Sequence, residues 1–231
     1  DSYCLALGGC RTPGGDRIAG RDPLVARATS AAAGSPKAGR LWIDGGIHAR
    51  ELPGTALMEA TIRDLVGRYG SDAQVTYLLD HREVYVGLNV NPDGRALVEL
   101  GTRAPYNGAP WSWRKNGHEE RQCAWPPSGN DHFGVDLNRN HAFKWRMPGS
   151  TTDPCGETYR GRAQASEPEI QAYETFIRSI FPDARGPDDD DRAAPDATGI
   201  LLNYHNATSP GTMLIPWGWT EERAPDDAAL S

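Results

Sequence analysis

Apolar residues fall in short runs separated by stretches rich in Gly, Pro and Asp, and the period inside each run sets the element it predicts. Residues 24–30 partly alternate and predict a strand. Residues 41–44 form a compact apolar strand, followed by Gly45 and Gly46, which let the backbone turn sharply. Over residues 53–69, Leu57, Ile62, Leu65, Val66 and Tyr69 recur at helical spacing, with Pro53 suited to the first turn. Residues 83–88 predict another strand, and Asn91-Pro-Asp-Gly94 a turn. Residues 101–135, dense in Gly, Pro, Asn and Trp, read as a long functional loop and not a core element. Ser166-Glu-Pro-Glu169 reads as a capping box opening a helix whose buried face is Ile170, Tyr173, Ile177 and Ile180. Residues 199–204 and 213–216 predict two further strands, and residues 226–230 the start of a helix. Residues 1–22 read as irregular, Asp188 to Asp191 as a solvated loop, and no internal repeat is visible. Strands alternating with helices predict an α/β fold: a mixed, largely parallel sheet flanked by helices.

Composition narrows the function classes. A length of 231 residues fits a single domain over 1–231, and the hydrophobic share of 38% is low but sufficient for a core. The formal net charge is -7, and Lys37, Lys115 and Lys144 are the only lysines. Without a clustered basic surface to neutralise phosphates, nucleic acid is not expected as a partner. No apolar stretch reaches the length of a membrane span, so no membrane partner is expected. The chain opens Asp1-Ser2-Tyr3-Cys4, which is not a signal peptide, although a mature or trimmed chain would look the same. Four cysteines without a Cys-x-x-Cys pair favour disulfides over a zinc–thiolate site. Cys123 and Cys155 bracket the most motif-dense segment and are the better candidate pair. Cys4 and Cys10 are open between a small disulfide loop and buried free thiols. An oxidising compartment is favoured, so a secreted or extracellular location is expected.

The candidate chemistry centres on His48 and Glu51, an imidazole and a carboxylate three residues apart just after a short strand. A second imidazole, His205, ends the apolar run at 199–204. Two His and one Glu with a fourth position left open make the ligand set of a catalytic zinc site, which calls for one Zn2+. Strand-end placement suits it, because open α/β sheets bind ligands at their C-terminal edge.

Several separated motifs, in order, resemble the zinc carboxypeptidases of the carboxypeptidase A and B type. Asp44-Gly-Gly-Ile-His-Ala-Arg-Glu51 is similar to that family's zinc motif and Asn91-Pro-Asp-Gly94 to its turn motif. Trp113-Arg-Lys-Asn116 resembles the segment with its transition-state arginine, and Gly134-Val-Asp-Leu-Asn-Arg-Asn140 its carboxylate-binding motif. Cys155-Gly-Glu-Thr-Tyr-Arg-Gly161, Ser166 to Glu169 and His205 after an apolar strand also follow it. The resemblance implies that His48, Glu51 and His205 hold zinc and that Arg114 stabilises the oxyanion. Asn138 and Arg139 would grip a substrate's C-terminal carboxylate, making the enzyme an exopeptidase. Arg50 matches a secondary substrate arginine, and Asp136 the acceptor that orients His48. The family pairs cysteines equivalent to Cys123 and Cys155. Peptide or protein C-termini are the implied substrates, and a monomer is expected.

The pattern also departs from the family. His205 is followed by Asn206-Ala-Thr-Ser-Pro-Gly211 where the family has a Ser-Tyr-Ser type run, so an aromatic subsite wall is missing or rebuilt. The family's general-base glutamate, its closing tyrosine and its specificity-pocket residue have no counterpart before Ser231, and its first helix and strand none before Leu24. The expectation is an incomplete carboxypeptidase-like domain, truncated at both ends, that binds zinc, hydrolyses peptides poorly and exposes sheet edges. Two alternatives compete: a zinc-dependent deacylase or amidase, and a non-catalytic module that binds peptide C-termini.

Overall fold

The computed structural model describes residues 1–31, 37, 39–206, 212–215 and 217–230. The N-terminal segment expected to be irregular is built instead from α1 (Tyr3–Ala6) and a small antiparallel ribbon, β1 (Cys10–Arg11) with β2 (Arg17–Ile18). Such short elements leave no periodic signature; the bonded pair Cys4–Cys10 ties them together and resolves the alternative left open by the sequence.

Six further elements follow in the first half of the chain: β3 (Val25–Ala28), β4 (Arg40–Gly45), α2 (Leu52–Arg68), α3 (Ala73–His81), β5 (Glu83–Gly87) and α4 (Pro92–Leu100). After them come α5 (Leu137–Asn140), α6 (Pro168–Ile180), β6 (Ile200–Tyr204) and α7 (Asp227–Leu230). The sheet order is β3-β5-β4-β6, with β4 parallel to both β5 and β6 and β3 antiparallel to β5. This is the mixed, largely parallel sheet that the alternation of elements predicts. Pleating sends successive residues to opposite faces. Val84 and Val86 pack under Met58, Leu65, Val75 and Leu79 of α2 and α3, while Trp42 and Tyr85 meet Ile180 and its neighbours on α6.

The helical reading of α2 holds, but its buried face does not follow the expected positions. Gly54, Met58 and Leu65 are buried, whereas Leu57, Val66 and Tyr69 are exposed. Gly54 decides the rotation: a Cβ on Gly45 would stand 3.0 Å from the Gly54 backbone, so strand and helix approach as only glycines allow. The turn expected at Asn91 to Gly94 opens α4 instead; the Asn91 side chain accepts from the Gly94 N–H and Pro92 occupies the first turn. The capping box at Ser166 does not form. Glu167 takes the cap position without a side-chain bond, and Glu169 accepts from the Tyr3 N–H at 2.9 Å. On α6, Ile170 and Ile180 are buried, while Tyr173 and Ile177 are half-buried.

Residues 101–135 contain no helix or named strand, yet they are not all surface loop. Trp113, Lys115 and Asn116 are fully buried, and Trp113 joins Leu97, Val98, Phe133 and Cys4 in one core cluster. The strand expected at 213–216 is not formed over 213–215, and Pro216 lies outside the described residues. On β6, at the end of the strand order, Ile200, Leu201, Leu202 and Tyr204 remain 59%, 46%, 37% and 42% exposed.

Candidate metal centre

β4 and β6 are parallel and in register, with Gly45 opposite Tyr204, so the segments leaving both strands emerge side by side. Gly46 follows at φ +77°, where an added Cβ would lie 2.8 Å from Asn89 Oδ1. That turn drops Ile47 into a cluster with Val90, Leu137 and Ile170 and places His48 and Glu51 inward, at 3% and 2% exposure. Glu51 stands at the cap of α2. His205 follows β6 directly.

The structure brings these three residues together. His48 Nδ1 lies 2.8 Å from Glu51 Oε1, His205 Nδ1 lies 3.0 Å from Glu51 Oε2, and the two Nδ1 atoms are 3.1 Å apart. Among the described residues this is the one group of three His, Cys, Asp or Glu side chains close enough to share an ion. Burial opposes ionisation of Glu51, but hydrogen bonds from His205 and His48 outweigh it and hold the carboxyl far below its ordinary range. A carboxylate and two imidazole nitrogens facing one point present lone pairs to a common position, which a cation satisfies.

The far side of His48 tests the fit. Its Nε2 is buried without a hydrogen-bond partner and faces Asp136 Oδ1 at 3.5 Å. A metal on Nδ1 leaves the ring proton on Nε2, directed at that carboxylate, and so gives the orphaned atom its role. Asp136 is fully buried at the cap of α5 and accepts from the Asn138 N–H at 3.1 Å and from Arg114 Nε at 2.8 Å. Burial works against its charge, yet His48 and Arg114 keep its carboxyl below the usual value. Arg114 is itself buried, with Nη1 3.4 Å from His48 Nδ1.

Other site residues fall at the rim. Arg139 donates from Nε to the Gly149 carbonyl and from Nη1 to that of Asn138, which uses two of its five N–H groups. Arg50 is paired with Glu157, and its Nη1 donates to Asn130 Oδ1 at 3.1 Å. Cys123 and Cys155 are bonded.

Several contributors have no role in the sequence reading. His132, fully buried and stacked on Trp113 at 3.9 Å, donates from Nδ1 to the Phe133 carbonyl and accepts the Arg114 N–H at Nε2. Burial holds its pKa down to about 3, so it backs Arg114 as a neutral ring. The Arg114 carbonyl in turn accepts from the Ala49 N–H at 3.2 Å, which links the arginine to the turn that carries His48 and Glu51. Asp44, buried on β4, accepts from Trp42, from the Tyr173 hydroxyl at 2.7 Å and from Asn203, two residues before His205. Asp44 opens the motif likened to the zinc motif, but its part follows from its surroundings: an acid within an apolar strand needs donors.

The sequence profile described as "Zinc carboxypeptidase" matches residues 14–231. The chain belongs to the zinc carboxypeptidase family. Carboxypeptidase A1 of Rattus norvegicus is 30% identical over 190 residues, which cover 82% of this chain and 38% of the relative. Metallocarboxypeptidase A of Trichophyton tonsurans is 34% identical over 186 residues, 80% of this chain and 37% of that protein. The crystal structure of thrombin activatable fibrinolysis inhibitor superposes with a TM-score of 0.68 at 26% identity, over 90% of this chain and 44% of that one. The chain therefore spans well under half the length of these relatives.

Proposed function

We propose that this chain is the metal-binding part of a zinc-dependent metallocarboxypeptidase that acts on free peptide or protein C-termini. The observation that carries the reading is the meeting of His48 Nδ1, His205 Nδ1 and the two Glu51 oxygens, each within 3.1 Å of its nearest partner. His48, Glu51 and His205 would hold one Zn2+, which when bound supplies Lewis acidity at the scissile carbonyl and acidifies water.

The chain's own residues supply the remaining chemistry. Arg114, held by Asp136 in a buried setting, presents a fixed positive charge where negative charge develops on the carbonyl oxygen. Arg139 keeps unused donors beside Asn138, and a guanidinium fork suits a terminal carboxylate. The site's carboxylates are all engaged: Glu51 with both imidazoles, Asp136 with Arg114, and Glu157 with Arg50. None is placed as a proton acceptor toward substrate among the described residues, so turnover by this chain is slow. Two disulfides favour a secreted protein. No helix among the described residues is long and apolar enough to cross a membrane.

The test pairs zinc titration with hydrolysis of a hippuryl-type substrate and its C-terminal amide. One equivalent of zinc, lost on His205→Ala, and recognition of the free acid over the amide are expected. Equal handling of acid and amide would turn the assignment toward an amidase, and brisk zinc-dependent turnover would refute the slow-enzyme reading.

A further inference from the structure

Arg114 lies between two residues that pack with the same N-terminal hook, Ser2 to Cys10. Trp113, fully buried, shares a core cluster with Cys4 and Ile18. Gly117 meets Cys4 more closely: a Cβ there would stand 2.7 Å from Cys4 Sγ and 3.3 Å from Asp93 Cβ. Gly117 is not among the residues with positive φ, so space and not backbone conformation calls for a glycine at this point. The Trp113 indole N–H donates to the Asn116 carbonyl at 3.3 Å and draws the two ends of the segment together around Arg114 and Lys115.

The hook is itself pinned at several points. Asp93, in the first turn of α4, accepts from the Ser2 hydroxyl at 2.8 Å and from the Cys4 N–H at 2.7 Å. Glu169, in the first turn of α6, accepts from the Tyr3 N–H at 2.9 Å. The Tyr3 ring lies flat on His118 at 4.1 Å between ring centres, and His118 Nδ1 is 2.9 Å from Glu167 Oε2. The Cys4–Cys10 bond closes the hook, and Ser2 Oγ accepts the Arg21 N–H at 3.1 Å. Two further bonds hold the Arg114 segment: Asn91 Nδ2 donates to the Lys115 carbonyl at 3.1 Å, and the Asn116 N–H to the Val135 carbonyl at 3.0 Å. Residues 113–118 are thus gripped by the hook as well as by Asn91 and Val135.

A contact as tight as Cys4 on Gly117 transmits displacement, because a close-packed interior has little slack to absorb it. Charge stabilisation at a reacting centre is sensitive to such shifts, and a misplacement of about 1 Å costs on the order of 100-fold. We propose that the hook is a positioning element for Arg114, with Cys4, pressed on Gly117, setting where the guanidinium stands relative to His48, Glu51 and His205. Asp136 holds the far end of the arginine through Nε, and the hook holds the backbone from which the side chain springs. This rests on the oxyanion role given to Arg114 above.

The experiment compares, by calorimetry on the zinc-loaded chain, the affinity of benzoyl-Gly-Phe with that of its analogue in which a phosphonate replaces the scissile amide. The phosphonate presents its charge where the oxyanion forms, so the ratio of the two affinities reads the placement of Arg114. The parent chain should bind the phosphonate at least about 100-fold tighter than the peptide. Gly117→Ala should cut that ratio about tenfold while leaving the peptide's affinity and the zinc stoichiometry unchanged. In a Cys4→Ala, Cys10→Ala background, which lacks the sulfur that Ala in place of Gly117 would strike, the same change should alter the ratio by less than about threefold. Tyr3→Ala, which removes the ring on His118 without adding bulk, should lower the ratio about threefold and Tyr3→Phe should keep it, so the test stands even if Gly117→Ala fails to fold. Equal losses for both ligands would reduce the hook to a brace of the fold and overturn the proposal. So would a Gly117→Ala effect that persists without the sulfur, or a ratio that neither Gly117→Ala nor Tyr3→Ala changes. A phosphonate that binds the parent no tighter than the peptide would overturn the oxyanion reading of Arg114, and the proposal with it.

Discussion

Replacing Glu169 by glutamine should remove a pH-dependent loss of stability from this fold. Glu169 lies in the first turn of α6 and is 1% exposed; its Oε1 accepts from the Tyr3 N–H and its Oε2 lies 3.5 Å from Asn116 Nδ2. Burial, reinforced by the neighbouring Glu167 and Asp93 carboxylates, pushes its pKa from 4.5 up to about 7, although the Tyr3 N–H works the other way. The folded state therefore binds this proton more tightly than the unfolded chain. Stability falls as pH rises from about 4.5 to about 7 and is level beyond, because the fold must then carry a buried, poorly solvated charge. At 1.36 kcal/mol per tenfold step the gap is worth about 3 kcal/mol. The glutamine side chain of E169Q keeps an acceptor for the Tyr3 N–H and never ionises. Urea unfolding followed by tryptophan fluorescence at about pH 4.5 and about pH 8 reads the effect as a difference between the two chains. Glu167, Asp93 and His118, which surround the site, are common to both and largely cancel. E169Q should match the parent at the lower pH and exceed it by about 3 kcal/mol at the higher. Parallel stability curves across that range would refute the buried-proton argument.

Three other predictions rest on neighbouring contacts. Asp136→Asn leaves the buried Arg114 without its counter-charge and His48 Nε2 without its carboxylate. It should lower zinc affinity about 10- to 100-fold in a chelator competition and destabilise the chain by about 3–5 kcal/mol; unchanged zinc affinity would remove Asp136 from the site. Removing the Cys123–Cys155 bond, with a separation of 32 residues, should cost about 4 kcal/mol, and removing Cys4–Cys10, with a separation of 6, about 2 kcal/mol. Thermal or urea unfolding of the paired Ser variants checks the order, which a larger loss at Cys4–Cys10 would reverse. Asn203→Ala takes one donor from buried Asp44 and loosens the strand that delivers His205. Zinc affinity should drop about tenfold, and an unaltered affinity would show that the β4–β6 ladder alone positions His205.

What the sequence made legible was the chemistry that compresses into short spacings. His48 and Glu51 share one turn, and the apolar runs of β4, β5 and β6 are long enough to show as strands. The convergence of His205 needed the parallel register that sets Gly45 opposite Tyr204, which periodicity alone does not encode. α3 escaped notice because only Val75 and Leu79 are buried in it, and its start rests on Asp72 accepting from two N–H groups. The 113–117 segment looked like loop because most of its buried side chains beyond Trp113 are polar. Lys115 is hidden by donating to the Pro154 and Gly156 carbonyls, and burial still holds its pKa down to about 7. Asn116 is hidden by Glu167, which accepts from it at 2.8 Å. Hydropathy reads such residues as exposed, whereas hydrogen bonding offsets their desolvation.

The two halves of the candidate metal centre differ in how they are held. His48 and Glu51 sit on a turn fixed by Gly46, anchored by Ile47 in the core and joined to Arg114 through the Ala49 N–H. Arg114 is in turn braced by Asp136 and His132, and the disulfide-closed segment passes behind it, with the Cys155 carbonyl accepting from the His132 N–H at 3.0 Å. That half is buried and defined without β6. His205 arrives on an edge strand whose side chains are mostly exposed, held by the ladder to β4, by Asn203 on Asp44 and by Glu51 itself. A cation shared by both halves would therefore do more than complete a ligand set. It would add a further tie between an ordered core and the least covered strand, so the free energy of metal binding would in part be the free energy of fixing β6 in place.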